Sequence, residues 1–176
     1  FFNHYRLQCF VRKKHTGESI LKYCVEKFDI LTPQYYGLRY QVASDNNRWR
    51  WLNMDKSLIL QVKENDMKLL FSVRFFDPQP NQMEDTFARH YIYLQCLYMI
   101  MIKSYKLPPE LQIVLYPYIL QINYGNYSDV LLEKLKQEFP DPRQAERVIR
   151  QYKLLKGQSV EQSELFALII FSKHPL

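Results

Sequence analysis

The stretch Leu69-Leu70-Phe71-Ser72-Val73-Arg74-Phe75-Phe76-Asp77-Pro78-Gln79-Pro80 divides the chain into halves of different character. Its first eight residues are apolar or aromatic except for Ser72 and Arg74 and read as a strand. The two prolines that follow cannot donate to a ladder and end it. Upstream, short strand-like runs alternate with turns; downstream, apolar residues recur every three or four positions. The change of period predicts an α+β protein, with residues 1–76 forming one lobe and residues 77–176 a helical second.

Working back from the boundary, Ile59 to Val62, Arg48 to Leu52 and Tyr36 to Val42 are further strand candidates, the last two separated by the polar turn Ser44-Asp45-Asn46-Asn47. Tyr5 to Val11 alternates weakly and runs into a basic turn, Arg12-Lys13-Lys14-His15-Thr16-Gly17. Between them Ile20, Leu21, Cys24, Val25 and Phe28 share one helical face, with Thr16 as N-cap and Pro33 beyond the end. A strand, a helix and more strands make the pattern of a ubiquitin-like roll.

Working forward, Phe87, Tyr91, Leu94, Tyr98 and Met101 form an apolar helical face that starts near Asp85 and stops before Pro108-Pro109. Leu111, Val114, Leu115, Tyr118, Ile119 and Ile122 form a second, closed by Gly125. Asp141-Pro142 is a cap followed by an N1 proline, and Ala145, Val148, Ile149, Tyr152 and Leu155 carry that helix to Gly157. Ser159-Val160-Glu161-Gln162 is a capping box. Leu165 to Phe171 is apolar on almost every side, so the last helix is expected at the buried centre of a bundle.

Apolar residues make up 47% of the chain and aromatics 15%, ample for buried cores. No run approaches the roughly 18 apolar residues of a membrane-spanning helix. The chain opens at Phe1 without a leader pattern and reads as an excised piece of a longer protein. Cys9, Cys24 and Cys96 are odd in number, lack metal-like spacing and have apolar neighbours, so reduced core thiols are expected and zinc and disulfides are not.

Catalytic constellations are absent from the pattern. His4, His15, His90 and His174 are scattered, and His15 has cations rather than a base partner beside it. Ser44, Asp45, Glu64 and Asp66 read as solvated turn residues. With four glycines in the chain there is no phosphate-cradling loop, and no cofactor or small-molecule substrate is expected. Tyr5, Phe10 and Tyr23 near the basic turn fall at strand and helix spacing, which marks core rather than a base-stacking platform, so nucleic acid is not an expected partner.

Charge is more informative. Residues 1–75 carry 13 Lys and Arg against 7 Asp and Glu, whereas residues 76–176 carry 11 of each. The excess favours an acidic partner or a solvated surface. Candidate contacts are Arg12, Lys13 and Lys14 on the first loop and Lys103 and Lys106 after the first bundle helix. Arg143, Arg147 and Arg150 share a helix face that reads either as a receiver of an acidic peptide or as a solvated face partly paired with Glu146.

Several short motifs then fall in a recognisable order. Tyr35-Tyr36-Gly37-Leu38, Trp51-Leu52, Arg74-Phe75-Phe76-Asp77-Pro78, Arg89-His90-Tyr91 with Leu94-Gln95, and Gln121, Gly125 and Tyr127 together resemble the first two lobes of a FERM domain. The resemblance implies a ubiquitin-like β-grasp lobe followed by an all-α bundle like acyl-CoA-binding protein. It implies a non-catalytic docking module at the inner face of the plasma membrane and cell cortex, in the cytoplasm. Its partners would be membrane-protein cytoplasmic tails, cytoskeletal proteins and anionic lipids. The alternative is the targeting or substrate-recognition region of a FERM-containing enzyme such as a tyrosine phosphatase or ubiquitin ligase.

Several departures accompany the resemblance. Set against the family pattern, this stretch of sequence is expected to hold neither the third lobe nor the first strand of the ubiquitin-like lobe, since Tyr5 to Val11 aligns better with that lobe's second strand. Pro117 inside a helix predicts a kink costing about 3 kcal/mol, and Asn126 replaces the usual acid after Gly125. In the ezrin-radixin-moesin group an inositol phosphate headgroup uses Lys, Asn and Lys; the matching positions are Asn53, Asp55 and Lys56, of which Lys56 keeps its charge.

Overall fold

Thr16 sets the first helix as its type predicts: its side chain accepts a hydrogen bond from the Ser19 amide at 3.3 Å. The computed structural model describes residues 7–42, 45–62, 68–76, 79–101, 107–139 and 141–173. Helix α1 spans Gly17–Lys27, strands β1 and β2 span Tyr36–Val42 and Asp45–Trp51, helix α2 spans Leu58–Gln61 and strand β3 spans Leu69–Val73. Helices α3 to α7 follow at Thr86–Met101, Pro109–Tyr124, Leu132–Glu138, Pro142–Leu154 and Val160–Lys173. The chain is thus α+β and divides into two compact units, Phe1–Phe75 and Phe76–Leu176.

In the first unit the strands are ordered β2-β1-β3, all antiparallel, with Arg39 opposite Trp51 and Gly37 opposite Ser72. Ile20 of α1 meets Leu38, Leu52, Leu58 and Val62 in the core. On the sheet the Arg39 guanidinium lies 5.7 and 5.3 Å from the Trp49 and Trp51 rings, and that of Arg74 lies 5.8 and 5.1 Å from Trp51 and Phe75. A Cβ on Gly37 would stand 3.2 Å from the Trp51 ring and 3.1 Å from Arg74 Cδ, so the glycine makes room for this stack.

Sequence and structure differ here in several places. Residues 7–11, the described part of the Tyr5 to Val11 candidate, form no strand, and Phe10 is 98% exposed. Cys9 is exposed rather than a core thiol. Asp45 to Asn47 belong to β2 instead of a turn; Ser44 lies outside the described residues. Ile59 to Gln61 are helical and Val62 is the extended residue that ends α2: Leu58 and Val62 are buried while Leu60 is exposed, a spacing of four rather than two.

In the second unit α7 packs against α3 and α4, α4 also against α6, and α6 against α5. Asp85 accepts from the Ala88 amide at 3.0 Å, Asp141 from Arg143 at 3.0 Å, and Ser159 and Gln162 exchange the two bonds of the capping box. Ile113, Leu120, Leu135, Phe139, Ala145, Val148 and Tyr152 form one core cluster. Asn126 Oδ1 accepts from the Gly157 amide at 2.7 Å and from Gln121 Nε2 at 3.3 Å, contacts that the oxygen of an acid at this position would also accept. Helix α4 runs through Pro117, whose ring is buried.

Helix faces are where expectation fails. In α3 the buried residues are Ala88, Ile92, Tyr93 and Cys96, whereas Phe87, Tyr98 and Met101 of the expected face are exposed. In α4 Leu111, Leu115 and Ile119 are buried as expected, but Val114 is half exposed. Helix α7 keeps an open side at Phe166, which is 45% exposed. Pro108-Pro109 opens α4 rather than merely following α3, and α5 was not anticipated.

The three thiols differ in environment. Burial pushes the Cys96 pKa from 9.0 up to about 12, and the half-buried Cys24 is raised by burial and then by Cys9. Because the Cys96 pKa is raised on folding, its contribution to stability is complete below pH 9.0 and lost as pH rises through about 12. Thiol labelling at pH 8 should therefore modify Cys9 first and Cys96 only on unfolding; rapid labelling of Cys96 in the folded chain would contradict this burial.

Candidate docking surfaces

Two segments distant in sequence build the first surface. The Arg12 carbonyl accepts from the His15 amide at 3.0 Å, and the Arg12 amide donates to His15 Nδ1 at 3.3 Å, closing a turn with Lys13 and Lys14 at its tip. Ser57 Oγ donates to the Lys13 carbonyl at 2.8 Å, and the Leu58 amide to the His15 carbonyl at 2.9 Å. The Gly17 amide reaches the Lys56 carbonyl at 3.2 Å and Glu18 the Met54 carbonyl at 2.9 Å. These bonds bring Lys56 beside the turn.

Arg12, Lys13, Lys14 and Lys56 are all exposed, as is Asp55, so the surface has four cations with one carboxylate among them and another, Glu18, on the first turn of α1. Arg39 and Arg74 lie against aromatic rings on the sheet, which makes the turn the less committed source of positive charge in the first unit.

Gln61 fixes the loop that carries Lys56. Its Oε1 accepts from the Asn53 amide at 2.7 Å, and its Nε2 donates to the Asn53 and Lys56 carbonyls at 2.9 and 3.1 Å. Asn53 Oδ1 in turn accepts from the Asp55 amide at 3.0 Å. Neither Ser57 nor Gln61 was expected to matter. The usable signal was the four-residue spacing of Leu58 and Val62, which makes a helical turn beginning at Ser57. Lys103 and Lys106 lie outside the described residues.

The second surface is a groove of about 610 Å³ between α5 and α6. Leu132, Phe139, Ala145 and Ile149 supply apolar lining, while Lys136, Arg150 and Lys153 supply cations and Glu146 a carboxylate. Of the expected arginine trio, Arg150 lines the groove, whereas Arg143 and Arg147 are exposed elsewhere on α6. Lys136 pairs with Glu133 at 3.0 Å, and the Lys153 ammonium lies 4.6 Å from the centre of the Tyr127 ring.

Comparison with known proteins agrees with this architecture. Residues 1–64 match the FERM N-terminal domain and residues 78–176 the FERM central domain. Band 4.1-like protein 3 of Homo sapiens is 31% identical over 87 residues, 49% of this chain and 8% of the relative. Protein 4.1 homolog of Drosophila melanogaster is 24% identical over 165 residues, 90% of this chain and 10% of the relative. The chain therefore spans only a small part of these relatives. A solved structure of the FERM and C-terminal domain complex of Drosophila Merlin superposes with a TM-score of 0.72 at 18% identity, covering 94% of this chain and 61% of that one.

The first surface depends on a close approach at Gly17. A Cβ there would stand 2.7 Å from the Asn53 carbonyl oxygen and 2.9 Å from Met54 Cα, both backbone atoms. Gly17→Ala should lower the stability of the first unit by about 1–3 kcal/mol in chemical denaturation; unchanged stability would show that the loop and helix are not held this closely.

Proposed function

The chain belongs to the FERM family, and on that premise we propose that it is a non-catalytic docking module that places a longer protein at the cytoplasmic face of the plasma membrane and the cell cortex. Its first contact is with anionic lipid headgroups, and membrane-protein tails and cytoskeletal proteins are its further partners. The observation that supports this reading is the joining of Arg12, Lys13 and Lys14 with Lys56 by fixed backbone hydrogen bonds. Cations held on a short turn lose little backbone freedom on binding, and each basic residue near an anionic bilayer contributes on the order of 1 kcal/mol. Asp55 at the position where the ezrin-radixin-moesin pattern has Asn, and Asn53 where it has the first Lys, argue for diffuse electrostatic attraction rather than capture of one headgroup.

Sedimentation with phosphatidylserine vesicles tests the reading. The wild-type chain should bind at low salt, weaken at physiological salt, and lose on the order of a hundredfold in affinity when Arg12, Lys13 and Lys14 are all changed to Ser. Equal binding by the folded triple variant, or no binding by the wild type at low salt, would overturn it.

A further inference from the structure

Helix α6 concentrates positive charge in a unit that is neutral as a whole. Residues 142–154 carry Arg143, Arg147, Arg150 and Lys153 against the single carboxylate of Glu146, whereas residues 76–176 have equal numbers of cations and anions. Among the described residues Arg143, Arg147 and Arg150 form no ion pair. The side of the helix away from the arginines is buried through Val148 and Tyr152, with Ala145 at the edge where the core meets the groove, so its orientation is fixed by the core.

The groove-facing positions on α6 follow a helical stripe. Ala145, Glu146, Ile149, Arg150 and Lys153 recur at intervals of one, three, one and three, which places apolar and charged atoms side by side along one edge. Arg150 belongs both to this stripe and to the arginine row that begins at Arg143. From Ala145 to Lys153 the groove-lining stripe rises about 12 Å. That is too long for one compact anionic group and suits an extended or helical segment with carboxylates spaced along it.

We infer that the α5–α6 groove receives an acidic, amphipathic segment of a partner protein. An apolar side chain of that segment enters between Phe139 and Ile149, and its carboxylates meet Arg150 and Lys153. Glu146 within the groove repels a carboxylate placed opposite it, which sets where the partner's acidic residues can lie. The inference rests on the docking-module reading, but on a different unit from the membrane-binding turn.

The probe is a synthetic helix-forming peptide with leucines along one stripe flanked by glutamates, and a control in which lysine replaces every glutamate. Amide shifts followed by NMR should move at Ala145, Ile149 and Arg150 with the acidic peptide and not with the control. Arg150→Glu, at an exposed position, should weaken binding at least about tenfold while leaving the thermal transition unchanged. Ile149→Asp tests the apolar half, with the same check of folding.

The triple Ser variant of the basic turn should bind the peptide like wild type, and Arg150→Glu should bind vesicles like wild type, so either reading can fail alone. No saturable shift up to about a millimolar peptide, shifts confined to other residues, equal binding of the lysine control, or groove shifts produced instead by phosphatidylserine vesicles would each overturn the inference.

Discussion

The first unit depends on the contact between the start of α1 and the segment from Leu52 to Leu58. Backbone bonds from Gly17 to Lys56, Glu18 to Met54 and Leu58 to His15 join pieces of chain that local sequence leaves independent. They form because residue 17 has no side chain: backbone atoms of Asn53 and Met54 occupy the space a Cβ would need. Leu52 and Leu58 are buried on either side of this segment, so the same contact closes the core and sets the basic turn. The side chains of Ser57 and Gln61 add further bonds to the same loop, to the Lys13 carbonyl and to the backbone of Asn53 and Lys56.

The second unit reaches order through a different balance. Helices α3, α4 and α7 are apolar over most of their circumference, so burial alone does not give them one orientation. Their polar contacts are specific: His90 Nδ1 lies 2.7 Å from the buried Glu164 carboxylate, and Gln121 reaches the Gln158 carbonyl at 2.9 Å. Buried charged and amide groups need partners, and satisfying them favours one packing over others of similar apolar area. Helix α6 is the exception, with its cations and its core residues on opposite sides.

These differences explain what the sequence disclosed. Thr16, Asp85, Asp141 and the Ser159–Gln162 pair announced helix starts because caps act over three or four residues. The apolar stripe of α6 was readable because polar residues separate its members. Phe87, Tyr98 and Met101 read as core residues in the sequence because α3 offers several apolar faces and its period does not choose between them. Ile59 to Val62 is too short for a period of two to be told from one of four. Arg12, Lys13, Lys14 and Lys56 were legible as cations, but their union was not, since Ser57 and Lys13 are 44 residues apart and the bond between them is a tertiary contact.

Hydrogen–deuterium exchange of the chain with and without phosphatidylserine vesicles tests most directly whether the joined turn and loop act as one docking surface. The account predicts that amides from 12 to 18 and from 53 to 61 gain protection together, with little change elsewhere in the first unit. Protection of one segment without the other, or protection confined to a different part of the chain, would contradict it.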